Sequence, residues 1–173
     1  MDYEVLIEAW EDSFIELGYK EASFNNWFLQ IGEIISVLSL RVDTRKRDFN
    51  IDLGIIFKKL YDGRSWKNIK IEHSHIGQGL YSILYKMGES RVYLDELLSY
   101  DPTDYSEVEL KNISAFMDLF KKKVIPHLKK LNDYALTEHF LEKKSWQPFL
   151  EYCIPNELYT MNFQGYLQSQ HLN

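Results

Sequence analysis

Near the start of the chain, apolar residues recur at steps of three and four: Leu6, Ile7, Trp10, Phe14 and Leu17. That spacing draws one apolar stripe along a helix, with Glu8, Glu11, Asp12 and Glu16 largely on the other side. The pattern predicts a helix over Tyr3 to Leu17, closed by Gly18 as a left-handed cap. The period then shortens. Asn26 to Gln30, Glu33 to Asp43 and Asp48 to Phe57 are rich in Ile, Val, Leu, Phe and Trp, with a tight turn expected at Ile31-Gly32. In the last of these, Phe49, Ile51, Leu53 and Ile55 alternate with Asn50, Asp52 and Gly54, so one face meets a core. A three-stranded antiparallel meander follows, and alternation over Trp66 to His75 predicts a fourth strand. Gly77 and Gly79 allow a sharp exit from that strand into a helix beginning near Leu80.

Helical spacing takes over from Gly88. Leu94, Leu97 and Leu98 mark one helix, and Asp101-Pro102 breaks it. Ser106 and Glu109 have the spacing of a capping box. Beyond them Ile113, Phe116, Met117, Phe120, Val124, Leu128 and Leu131 form one long stripe. Pro126 lies inside it, which predicts a kink or break near Lys122 to Ile125. Shorter helices are expected from Tyr134 to Leu172. With no internal repeat and no long linker, residues 1–173 read as one α+β domain, sheet-rich over 22–76 and helical over 80–173. An antiparallel sheet of about four strands should pack against the N-terminal helix and the C-terminal helices.

Composition sharpens this picture in two respects. Ten Phe, twelve Tyr and four Trp in 173 residues are far more aromatic surface than a disordered tail carries. Trp10, Phe14, Trp27, Phe28, Phe49, Phe57, Phe116 and Phe120 fall on the inward faces, whereas Tyr61, Tyr81, Tyr85, Tyr93, Tyr100 and Tyr105 gather between the strands and the long helix. Charge is blocked as well. The overall net charge is −6, but residues 1–40 carry −7, 41–70 carry +5, 71–110 carry −6 and 111–173 carry +2. A net acidic chain is no general glove for nucleic acid. Acids interrupt the N-terminal segment too often for a signal peptide, and no run approaches the ~20 apolar residues of a membrane span. The lone Cys153 has no internal disulfide partner and reads as a small buried hydrophobe. A cytoplasmic protein is expected.

Candidate chemistry is sparse. His73-Ser74-His75 on a strand would put two imidazoles on one face, short of the three or four ligands a metal needs. Gly77-Gln78-Gly79 lacks the third glycine of a dinucleotide loop and the Lys of a P-loop. No metal and no cofactor are therefore expected. The basic tip Thr44-Arg45-Lys46-Arg47, with Tyr61 and Trp66 nearby, has the chemistry to grip phosphates or an acidic surface. Tyr93, Asp95, Glu96, Asp101 and Asp104 offer an acidic, aromatic face.

The order of these features resembles a known family. The helix ending Leu17-Gly18-Tyr19, the strand Asn26-Trp27-Phe28, Ile34 to Leu40 and then Phe49-Asn50-Ile51-Asp52-Leu53-Gly54-Ile55 look like the bacterial domain-of-unknown-function family 4304. His73 to Leu80 is similar to that family's "CHIRGRLG" piece, and Val124-Ile125-Pro126-His127-Leu128 resembles its "LPFL" helix, so the likeness spans about residues 3–142. Arg41 and Asp43 stand where Gln and Ser usually fall, and Gln78 where an Arg is common. The resemblance implies kinship with small bacterial proteins associated with immunity and defence, without an activity to transfer. The function expected from the sequence is a non-enzymatic binding protein, of immunity or inhibitor type, that sterically blocks one protein partner. The alternatives are a small hydrolase or nucleotide-acting enzyme using His73 and His75, and nucleic-acid binding through the basic hairpin.

Overall fold

Alternation along β3 (Ile34–Asp43) and β4 (Asp48–Phe57) decides the architecture. In the computed structural model, which describes residues 4–58, 68–101 and 107–135, Ile34, Leu38 and Leu40 of β3 and Phe49, Ile51, Leu53, Ile55 and Phe57 of β4 join one large apolar core. Ile35, Val37 and Ile56, one position out of step, join Ile69 in a second, smaller core on the opposite face. The sheet is antiparallel with five strands in sequence order: β1 (Lys20–Ser23), β2 (Asn26–Ile31), β3, β4 and β5 (Ile76–Gly79). The large core is closed by α1 (Glu4–Glu16), α2 (Leu80–Lys86), α3 (Arg91–Leu98), α4 (Glu107–Leu119) and α5 (Ile125–Ala135).

The turns follow local chemistry. Gly18 ends α1 as expected, its N–H donating to Ile15 O at 2.8 Å while Tyr19 N–H reaches Phe14 O at 3.0 Å. Ile34 pairs with Ile31, which leaves Gly32-Glu33 as the two-residue turn. Gly32 has φ +56°, and a Cβ there would collide with the Asn132 carboxamide of α5. That carboxamide accepts Glu33 N–H at 2.7 Å through Oδ1, which fastens α5 to the hairpin. On the second face Gly54 lets the Ile71–Ser74 segment lie directly against β4.

The structure refines two expectations and corrects a third. The sheet has a fifth member, β1, whose sequence Lys-Glu-Ala-Ser carries no apolar alternation because it is a short edge strand. Over Trp66 to His75, the described part is a 3-10 turn at Ile71–His73, and pairing begins only at Ile76. The reason is the second core: Ile69 is fully buried and Ile71 packs on it, so this stretch crosses the sheet face and does not extend its edge. The expected irregularity before Pro126 is present, but it does not break the helix. Phe120–Val124 form a π turn in which Ile125 N–H reaches back to Phe120 O, and the helix then continues as α5. This wider turn lies where the ring of Pro126 would meet the carbonyl of Lys122 in a regular α-helix. Lys123 on this turn ion-pairs with Glu89 and donates to Met87 O at 3.2 Å, holding the turn against the end of α2.

Of the expected inward aromatics, all are buried except Phe28, which is half-buried against the smaller core. The region expected to form C-terminal helices beyond residue 135, with Cys153, lies outside the described residues.

Candidate functional site

The basic hairpin and the acidic helix meet at one end of the sheet. At the hairpin tip Asp43 Oδ1 accepts the N–H groups of Arg45 (3.0 Å) and Lys46 (3.1 Å), and Asp43 O accepts Arg47 N–H at 2.7 Å. These bonds hold the Asp43 carboxyl below its usual pKa, mainly through the Lys46 N–H. Arg47 sits at φ +61°, and its carbonyl accepts Tyr100 N–H at 2.9 Å. Asp48 and Ser99 form a further β-bridge, so the chain leaving α3 is stitched along the hairpin. The Tyr100 ring then packs on Phe49 at 5.0 Å.

Helices α3 and α4 complete the site. Ser90 caps α3, its Oγ accepting Tyr93 N–H at 3.1 Å. Asn112 of α4 donates from Nδ2 to Glu96 O (3.1 Å), and Asp101 N–H donates to Glu109 Oε1 (3.4 Å). Between hairpin and helices lies an open cleft of about 330 Å³, lined by Arg47, Glu96, Ser99, Tyr100, Asp101, Val108, Glu109 and Asn112.

The structure thus brings Arg47, Glu96 and Asp101 together. Tyr93 and Asp95 are both exposed on α3 but two positions apart, so they point to different sides of the helix. Burial first, then the nearby Asp95 carboxylate, raise the Tyr81 phenol pKa. Arg45 and Lys46 stay exposed at the tip. Tyr61, Trp66 and Asp104 lie outside the described residues. Glu109 was legible only as a capping residue, yet it stands on the buried stripe with Ile113 and Phe116. A carboxylate at a core position of a helix was the signal for it.

The two histidines are spread differently from the strand expectation. His73 sits on the 3-10 turn, and its Nδ1 accepts Lys70 N–H at 3.1 Å. His75 is buried, stacks on Phe57, and its Nδ1 accepts Phe57 N–H at 3.0 Å. Each imidazole uses one ring nitrogen to satisfy backbone. Among the described residues no group of three or more His, Cys, Asp or Glu is placed to hold a metal, and no helix is long and apolar enough to cross a membrane.

Acid crowding at this end has a measurable consequence. Burial first, then the charges of Asp43 and Asp95, raise the Asp48 carboxyl above its ordinary 3.8. An acid whose folded pKa is raised costs stability when ionised, and the cost vanishes below the unfolded pKa. Asp48→Asn should therefore raise the melting temperature near neutral pH and leave it unchanged below about pH 3. Thermal denaturation at the two pH values checks the sign.

No protein-family model, no curated protein and no solved structure matches this chain.

Proposed function

We propose that the chain is a non-enzymatic binding protein, of immunity or inhibitor type, which recognises one protein partner and sterically blocks it. The contact surface is the exposed side of α3, the first turns of α4 and the β3–β4 hairpin. The observation that carries this reading is the exposure of apolar side chains around a charged cleft. Val92 is 78% exposed, Val108 56% and Tyr93 38%. Val92 and Tyr93 lie one helical turn from Glu96, and Val108 lines the cleft beside it. Tyr85 extends the surface, with the Arg91 guanidinium 4.7 Å above its ring. Aromatics, Arg and exposed aliphatics within a charged rim are the composition of an interface.

Charge favours a basic partner. Asp43, Asp48, Asp95, Glu96, Asp101, Glu107 and Glu109 outnumber Arg45, Lys46, Arg47, Arg91 and Lys111 at this end, which steers a cationic surface toward it. The same carboxylates weaken the field that a phosphate backbone would need. His73 and His75 each commit Nδ1 to a backbone N–H, which ties both rings to the fold.

Affinity capture with the tagged chain from its source cells should recover one stoichiometric protein. Val92→Asp/Tyr93→Asp should lose it by about 30-fold or more in affinity, as expected for an aromatic anchor. Arg41→Ser, on the other sheet face, should keep it. Absence of a stoichiometric partner, or full retention by the α3 variant, refutes the reading.

A further inference from the structure

Opposite charges line the cleft without meeting. Arg47 enters from the hairpin and Glu96 from α3, and neither is ion-paired to any described residue within 4.0 Å. Both are exposed, so neither is fixed by burial. Glu109 is different: it is 8% exposed, and its Oε1 is oriented by the Asp101 N–H. Asn112 uses its nitrogen on the Glu96 carbonyl, which leaves Oδ1 as an acceptor.

The signs of these groups decide what fits. A simple cation would be drawn to Glu96 and Glu109 but would meet Arg47. A simple anion would pair with Arg47 but would meet the carboxylates. A small molecule carrying both charges satisfies both sides at once, and the planar guanidinium matches a carboxylate with two parallel hydrogen bonds. At about 330 Å³ the cleft is at the small end of ligand sites, with room for an amino acid.

We propose that this cleft is a binding site for a small zwitterion of the α-amino acid class. The ligand carboxylate pairs with the Arg47 guanidinium, and its ammonium donates to Glu96, with Asn112 Oδ1 as a further acceptor. This site stands independently of the protein partner, although a ligand seated there would alter the partner-facing surface.

The test is a heteronuclear NMR titration of the full chain with free leucine, lysine and glutamate, and with two single-charge analogues, N-acetyl-leucine and leucine amide. At least one free amino acid should give saturable shifts at the amides of Arg47, Glu96, Ser99 and Asn112, with Kd of about 1 mM or tighter. If leucine is that ligand, each single-charge analogue should bind about tenfold or more weakly; for another ligand its own N-acetyl and amide derivatives serve. Arg47→Gln and Glu96→Gln should each weaken binding similarly, whereas Lys111→Gln, outside the cleft, should not. No saturable shift with any free amino acid up to about 10 mM overturns the proposal. So do equal binding of a single-charge analogue and shifts centred elsewhere. None of these outcomes depends on capturing the protein partner, so the two readings fail separately.

Discussion

Replacing Trp10 by alanine is expected to cost about 3–5 kcal/mol, a large part of the 5–15 kcal/mol that holds a domain of this size. Trp10 is fully buried, and its ring meets Phe14 at 6.0 Å, Phe49 at 5.8 Å and Phe116 at 5.4 Å. One side chain therefore joins α1 to β4 and to α4. Removing it leaves a cavity between three elements that cannot collapse together, because the sheet register fixes Phe49 and the helix fixes Phe116. Trp10→Phe should cost much less. Its indole N–H has no hydrogen-bond partner among the described residues, so phenylalanine gives up volume but also removes an unpaired donor. Urea denaturation of the three proteins should rank them wild type, Trp10→Phe, Trp10→Ala. Equal stability of Trp10→Ala and wild type would refute the packing described here.

The second large effect is expected at Gly54, on the opposite face. A methyl group at this position would overlap Ser74 Oγ and lie 2.7 Å from Ser74 Cβ and 2.8 Å from Ile71 Cδ1. Ile71 can swing its terminal carbon, but Ser74 is held by its N–H on Ile71 O at 3.0 Å and by the following His75 N–H on Ile55 O at 2.9 Å. Gly54→Ala must therefore lift the covering segment or bend β4, at about 3 kcal/mol. Because the obstacle is one side chain, Ser74→Gly in the same molecule should recover much of that loss, a strongly non-additive pair. Additive costs in a denaturation cycle would show that the segment does not lie where it is described.

How far the sequence foretold these features depended on which physical signal each left. α1 and the three long strands were legible because one buried face imposes a period on many residues. β1 was not, since an edge strand of Lys, Glu, Ala and Ser buries too little to show a pattern. The alternation at Ile69 and Ile71 was real, yet both isoleucines pack down onto a sheet face, and period alone does not distinguish crossing a sheet from joining it. Pro126 correctly marked an irregular helix, but not that one residue of extra winding would absorb it. At the cleft, the charge blocks identified Arg47, Glu96 and Asp101 but not that they converge. Their convergence depends on the Tyr100–Arg47 and Asp48–Ser99 pairings, which join residues about fifty positions apart. Pairing of that range leaves no local signature.

The claim that one end of the sheet is the recognition surface is tested most directly by amide hydrogen exchange, on the chain alone and with its captured partner bound. Slowed exchange is expected in residues 91–98 and 107–112 and at the 44–48 hairpin, with no change at the exposed β1–β2 turn around Phe24. Slowed exchange confined to α1 or to the β1–β2 edge, with α3 and the hairpin unaffected, would contradict it.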